Sequence, residues 1–178
     1  ILFQLFGRHS GVSRMPRDFV VDRLYGDLLH DVNLLGLQVV GSEVIACPAD
    51  SGVCTAVDVV CQQVAHPQNL WAVEMKTGYA NGADVVLKNG KLHLPASIPR
   101  LKNSDLTRHR LQSYLGGELL KQAYPNERFS VVKTAVVYLD RQQRKGQMPN
   151  PNLRLCWFDN PLDSLTAQQS RDLMDFIA

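Results

Sequence analysis

Three Val-rich segments follow one another closely, Leu37–Cys47, Cys54–Val64 and Leu70–Thr77, separated by Pro48-Ala-Asp-Ser-Gly52 and His66-Pro-Gln-Asn69. Turn compositions of this kind bound strands, so an antiparallel three-stranded meander is the simplest topology. Upstream, Pro16 precedes Val21, Leu24, Tyr25, Leu28, Val32 and Leu35 at three- and four-residue spacing, which predicts an amphipathic helix ending near Gly36. Downstream, Val85–Leu94 sets Asn89-Gly90 between alternating apolar residues, the signature of a tight hairpin outside the main sheet. Ser104 is an N-cap candidate for a second helix that runs to Tyr124, before Pro125. Phe129–Leu139 and Leu153–Phe158 read as strands around a basic, polar loop, Asp140–Asn152, and a last helix spans Leu162–Ile177.

The expected architecture is one α/β domain over residues 1–178, with a mixed central sheet that contains the meander and is flanked by helices. With 178 residues, 45% hydrophobic and 20% charged, the composition excludes collagen-like, low-complexity and disordered chains. No apolar run approaches the roughly 18 residues of a membrane span, and no membrane partner is expected. The first six residues, Ile-Leu-Phe-Gln-Leu-Phe, lack the basic leader and cleavage site of a secretory signal. Cys47, Cys54, Cys61 and Cys156 form no C-x-x-C pair, so buried free thiols in a reducing intracellular compartment are expected. A net charge of +2 neither demands nor forbids a polyanionic partner.

The chemistry concentrates in Thr55-Ala-Val-Asp58-Val-Val and Leu70-Trp-Ala-Val-Glu74-Met-Lys76-Thr-Gly-Tyr79. Alternation along a strand puts Glu74 and Lys76 on one face, with Val73 and Met75 on the other. Asp58 stands among valines, where a charge is costly unless it is paired or binds a metal. Two carboxylates on adjacent strands beside a lysine suit a hard divalent cation with oxygen ligands. An acid-x-Lys triplet alone arises by chance about once in a chain of this size. The plain alternative is a Glu–Lys ion pair on a solvated face, with Asp58 at a strand edge.

Asp58 followed by Val73-Glu-Met-Lys-Thr-Gly78 resembles the core of the PD-(D/E)XK nuclease superfamily, in particular its RecB-like and lambda-exonuclease-like branches. The order helix, three-stranded meander, helix, strand matches as well, over roughly residues 16 to 140. The resemblance implies a restriction-endonuclease-like core and hydrolysis of phosphodiester bonds dependent on Mg²⁺ or Mn²⁺. Asp58, Glu74 and the Met75 carbonyl would be the ligands, and Lys76 would position water and phosphate. DNA is implied over RNA because those branches act mostly on DNA.

Weaker matches extend the candidate set. Arg108-His-Arg-Leu-Gln112 resembles the branch's Gln-bearing helix, and a helical wheel places Gln112 on an apolar face with Leu115, Gly116, Leu119 and Ala123. The Tyr expected four residues later is replaced by Gly116, and the usual Pro before the Asp by Val57. Gly26-Asp-Leu-Leu-His30 resembles a GxxxH helix motif, which makes His30 a candidate metal ligand in competition with Glu43. Arg108, His109 and Arg110, at a helix start, and Tyr79 are the substrate-side candidates. The rival reading is a catalytically inactive nuclease-fold module for DNA binding or assembly.

Overall fold

The structure is a computed structural model and describes residues 19–78, 92–141 and 153–177. Helix α1 (Phe19–Leu34) precedes strands β1 (Leu37–Ala46), β2 (Thr55–Gln63) and β3 (Asn69–Gly78). Helix α2 (Asp105–Ala123) leads to β4 (Ser130–Arg141), β5 (Leu153–Asp159), a 3-10 turn (Pro161–Ser164) and helix α3 (Ala167–Ile177). The five strands lie side by side in chain order. β1, β2 and β3 form the antiparallel meander, β4 runs parallel to β3, and β5 is antiparallel to β4. A parallel neighbour requires a crossover, and α2 supplies it. The protein is thus α/β, with a mixed sheet flanked by helices.

Both faces of the sheet are covered. Leu28 and Val32 of α1, one helical turn apart, pack on Val59, Cys61, Trp71, Val73 and Met75. Leu119 and Leu120 of α2 pack on Val57, Val60, Leu70 and Ala72 from the other side. Consequently β3 is buried without a break from Leu70 to Met75, as a strand covered on both faces must be. After α1, Gly36 adopts φ +66, a conformation that ends helices at little cost only for glycine. Its carbonyl accepts the Val64 N–H at 2.9 Å, tying the helix exit to the end of β2.

Helix α2 starts where Ser104 Oγ accepts the Thr107 N–H at 3.2 Å, as expected of an N-cap. It lies unusually close to the sheet. A Cβ on Gly117 would come within 2.9 Å of Thr134 Cγ2, and Ser113 Oγ donates to the carbonyls of both Ala72 and Ala135. The helix therefore rests on its small residues over the seam between β3 and β4.

The structure corrects several expectations. The last helix is two pieces, because Leu165 is extended between the 3-10 turn and α3. Thr166 Oγ1 accepts the Gln169 N–H while Gln169 Oε1 accepts the Thr166 N–H, a capping box that starts a new helix. Cys47 and Cys54 are joined in a disulfide, which Cys61 and Cys156 do not share. The pairing Ala46↔Thr55 sets the two cysteines face to face at the end of the hairpin, with Cα atoms 4.3 Å apart. Strand β4 continues through Arg141, into the expected loop. The Asn89-Gly90 hairpin, Tyr79 and residues 142–152 lie outside the described residues. Among the described residues no helix is long and apolar enough to cross a membrane.

Candidate active site

Alternation of faces breaks at Asp58. Val59 lies in the core beneath α1, yet Val57 lies beneath α2, where Gly116 rests against it. A regular strand would place both on one side, so β2 turns over at the residue between them. Its partner turns over at the same level: the pairs Ser42↔Val59 and Val44↔Val57 put Glu43 opposite Asp58. Glu43 has φ +50, a left-handed conformation uncommon for a residue with a Cβ.

The rotation directs Asp58 toward β3. The β2–β3 register ends at Val59↔Val73, and beyond it Asp58 Oδ2 accepts the Met75 N–H at 2.8 Å. A carboxylate thus takes the place of the main-chain acceptor that a continuing ladder would have supplied. Beside it Glu74 is 4% exposed, on the α2 side of β3 with Leu70 and Ala72. Lys76, next on that face, donates from Nζ to Glu74 Oε1.

Burial is the main influence on both acids. It pushes Glu74 above the ordinary carboxylate range, and Lys76 opposes the rise. Burial likewise raises Asp58, with Glu43 adding repulsion, while the Met75 N–H and Lys76 lower it. The two carboxyl groups lie on neighbouring strands and act on each other electrostatically, Asp58 adding to the rise of Glu74. Two neighbouring carboxyls favour a proton or a cation beside them, and the Lys76 ammonium is the cation already there.

The remaining candidates divide by position. Glu43 is exposed but within the electrostatic reach of Asp58. His30 is exposed on α1, and α1 covers the sheet face opposite Glu74, so His30 is not brought to the carboxylates. Among the described residues no group of three or more His, Cys, Asp or Glu side chains gathers as a metal cluster. Gln112 is exposed instead of lying on the packed face, because the buried stripe of α2 runs through Ser113, Gly116, Gly117, Leu119 and Leu120, which puts Gln112 at its edge. It remains on the flank toward β2, one turn before Gly116.

At the start of α2, Arg108 is exposed and its Nε donates to Asn103 Oδ1 at 3.2 Å. Arg110 is half-buried, and its carbonyl accepts from Asn160 Nδ2 at 2.7 Å. His109 turns inward. Its Nδ1 is 2.6 Å from the Tyr138 hydroxyl, and burial together with the nearby Lys76 holds its pKa below the ordinary histidine value. Sequence reasoning assigned Tyr138 no role. The parallel register that puts it beside Lys76 depends on the crossover, which leaves no trace at position 138.

The arrangement offers paired carboxylate oxygens, a main-chain carbonyl at Met75 and an ammonium at one end of the sheet. No protein-family model matches the chain, and a search of curated proteins finds no match.

Proposed function

We propose that the chain is a divalent-metal-dependent nuclease that hydrolyses phosphodiester bonds in DNA. The observation that carries this reading is the placement of two carboxyls, Asp58 and Glu74, on adjacent strands where the β2–β3 ladder opens, one held by the Met75 N–H and the other by Lys76. The donor set fits Mg²⁺ or Mn²⁺, which take carboxylate oxygens, retain waters and share the site with substrate phosphates. Asp58, Glu74 and the Met75 carbonyl would hold the ion. When bound, it supplies a water of lowered pKa and neutralises charge building on the phosphate.

The chain's own residues do the rest. The Met75 N–H fixes one Asp58 oxygen, so that carboxylate is aimed before any ligand arrives. Lys76 bridges from Glu74 toward the open end and can orient a water or a phosphate oxygen. Its Nζ is already engaged as a donor to Glu74, an arrangement that suits positioning rather than proton abstraction. DNA as the substrate, and the restriction-endonuclease-like core, rest on the sequence resemblance, supported by the order helix, meander, helix, parallel strand.

The test is cleavage of end-labelled linear and of circular DNA in Mg²⁺, Mn²⁺ or EDTA. Metal-dependent cutting that disappears in Asp58→Ala supports the reading. DNA binding without cutting in either metal assigns the chain to an inactive binding module instead.

A further inference from the structure

Tyr138 is 4% exposed, and its hydroxyl has one hydrogen-bond partner among the described residues, the Nδ1 of His109 at 2.6 Å. Its ring packs edge-on against Phe158, with centroids 5.7 Å apart. Burial, with Asp105 adding and Arg110 opposing, raises the phenol pKa, so the hydroxyl keeps its proton. A buried O–H needs an acceptor, and the ring nitrogen is the one within reach. A neutral imidazole whose Nδ1 accepts carries its proton on Nε2. His109 is half-buried and lies within the electrostatic reach of Lys76, and Nε2 is the ring nitrogen that Tyr138 does not occupy.

We propose that Tyr138 is a positioning residue: it donates to His109 Nδ1 and so fixes the Nε2–H tautomer, which offers a neutral hydrogen-bond donor beside Lys76 for a phosphate oxygen of the substrate. This rests on the nuclease reading for the identity of the substrate, but the tautomer does not. Lys76 and His109 then divide the work. The lysine supplies charge, and the imidazole supplies direction without adding a second positive charge next to it.

The experiment has two arms on the full chain. In the first, ¹⁵N-labelled protein at neutral pH is examined by long-range ¹H–¹⁵N correlation of the imidazoles, with His109 assigned by its loss in His109→Gln. The wild type is expected to show a single Nε2–H tautomer, and Tyr138→Phe, which keeps the ring but not the hydroxyl, a mixture. A Nδ1–H or doubly protonated ring in the wild type, or an unchanged tautomer in Tyr138→Phe, overturns the proposal.

In the second arm, a fluorescent DNA duplex is titrated in Ca²⁺. His109→Ala should weaken binding about tenfold, the effect of losing a hydrogen bond to a charged group. His109→Gln, which retains a neutral donor, should recover most of the loss, and Tyr138→Phe should lie between. A wild type with the fixed tautomer but no affinity for duplex overturns the nuclease reading and the phosphate role with it. A wild type that binds duplex but has the wrong tautomer overturns the role of Tyr138 alone.

Discussion

Two carboxyl centres sit on the α2 side of the same sheet and end up chemically opposite. Asp163, exposed as a residue but with its carboxyl tucked against β4, accepts the Thr134 N–H at 2.8 Å and the Thr134 hydroxyl at 2.7 Å. Asn160 extends this network from Thr134 Oγ1 to the Arg110 carbonyl. Asp58 and Glu74 have one main-chain N–H and one ammonium. Burial raises all three acids, so a displaced pKa does not separate a structural carboxylate from a functional one. The distinction lies in what each oxygen has left to do: those of Asp163 are engaged in holding β4 to the turn, whereas the pair at the open ladder share one N–H and one ammonium and keep oxygens for a further ligand.

The sharpest way to break the comparison is activity. Asp58→Ala and Glu74→Ala should each lower DNA cleavage by about a hundredfold or more, comparable to losing a principal electrostatic group in other active sites, with circular dichroism unchanged. Asp163→Ala should leave the rate per folded molecule unaltered. Wild-type turnover in either of the first two variants would sink the assignment of the open ladder as the active site.

Stability should show the reverse order. Asp163→Ala leaves the Thr134 N–H without its partner and should cost about 2–3 kcal/mol in urea unfolding, the penalty of stranding a buried donor. A cost below 0.5 kcal/mol would mean that water replaces the carboxylate, and that the Asp163 centre is no more structural than the other. A smaller effect is expected from metal: millimolar Mn²⁺ should raise the wild-type melting temperature, and do so less in Asp58→Ala, because an ion that binds only the folded state stabilises it. Equal shifts in the two proteins would place the ion elsewhere.

The smallest expected effect is in the pH profile. The folded pKa values of Asp58 and Glu74 lie above their ordinary values of 3.8 and 4.5, so between the two the folded state binds more protons than the unfolded state. The stability this confers is complete below the ordinary values and is lost as pH rises through the folded ones. Without metal, Glu74→Gln should therefore lose less stability than the wild type on going from pH 4.5 upward. His109, shifted downward, acts in the other sense and is common to both proteins. Parallel curves for variant and wild type would remove the raised pKa of Glu74 from the account.

How much of this could be read from the residues depends on whether the signal was local. The succession of elements was legible because its markers are short-range: turn compositions, a Ser104 cap, the spacing of Leu28 and Val32. Glu74 and Lys76 on one face followed from strand periodicity, and their contact agrees with it. The reversal at Asp58 was hidden because Val57-Asp58-Val59-Val60 is as strand-like as any regular run, and the positive φ that accompanies it lies across the hairpin at Glu43. Gln112 was misplaced because the buried stripe of α2, which keeps Gly116 and Leu119 of the apolar face, is shifted toward Ser113, Gly117 and Leu120 by the close approach of the helix to the sheet. The Thr166/Gln169 box, by contrast, was present in the letters and signals the break in the last helix.

The glycine seat of α2 also makes that helix a lever. His109 lies eight residues before Gly117, about 12 Å along the axis at 1.5 Å per residue, and α2 has no proline along its length to absorb a change of tilt. A methyl group at position 117 would press on Thr134, with the seat acting as a fulcrum and the imidazole at the far end of the arm. Sub-ångström accommodation at the seat becomes a displacement of the donor at the tip, so the aim of His109 is set by a residue that has no side chain and touches nothing in the site.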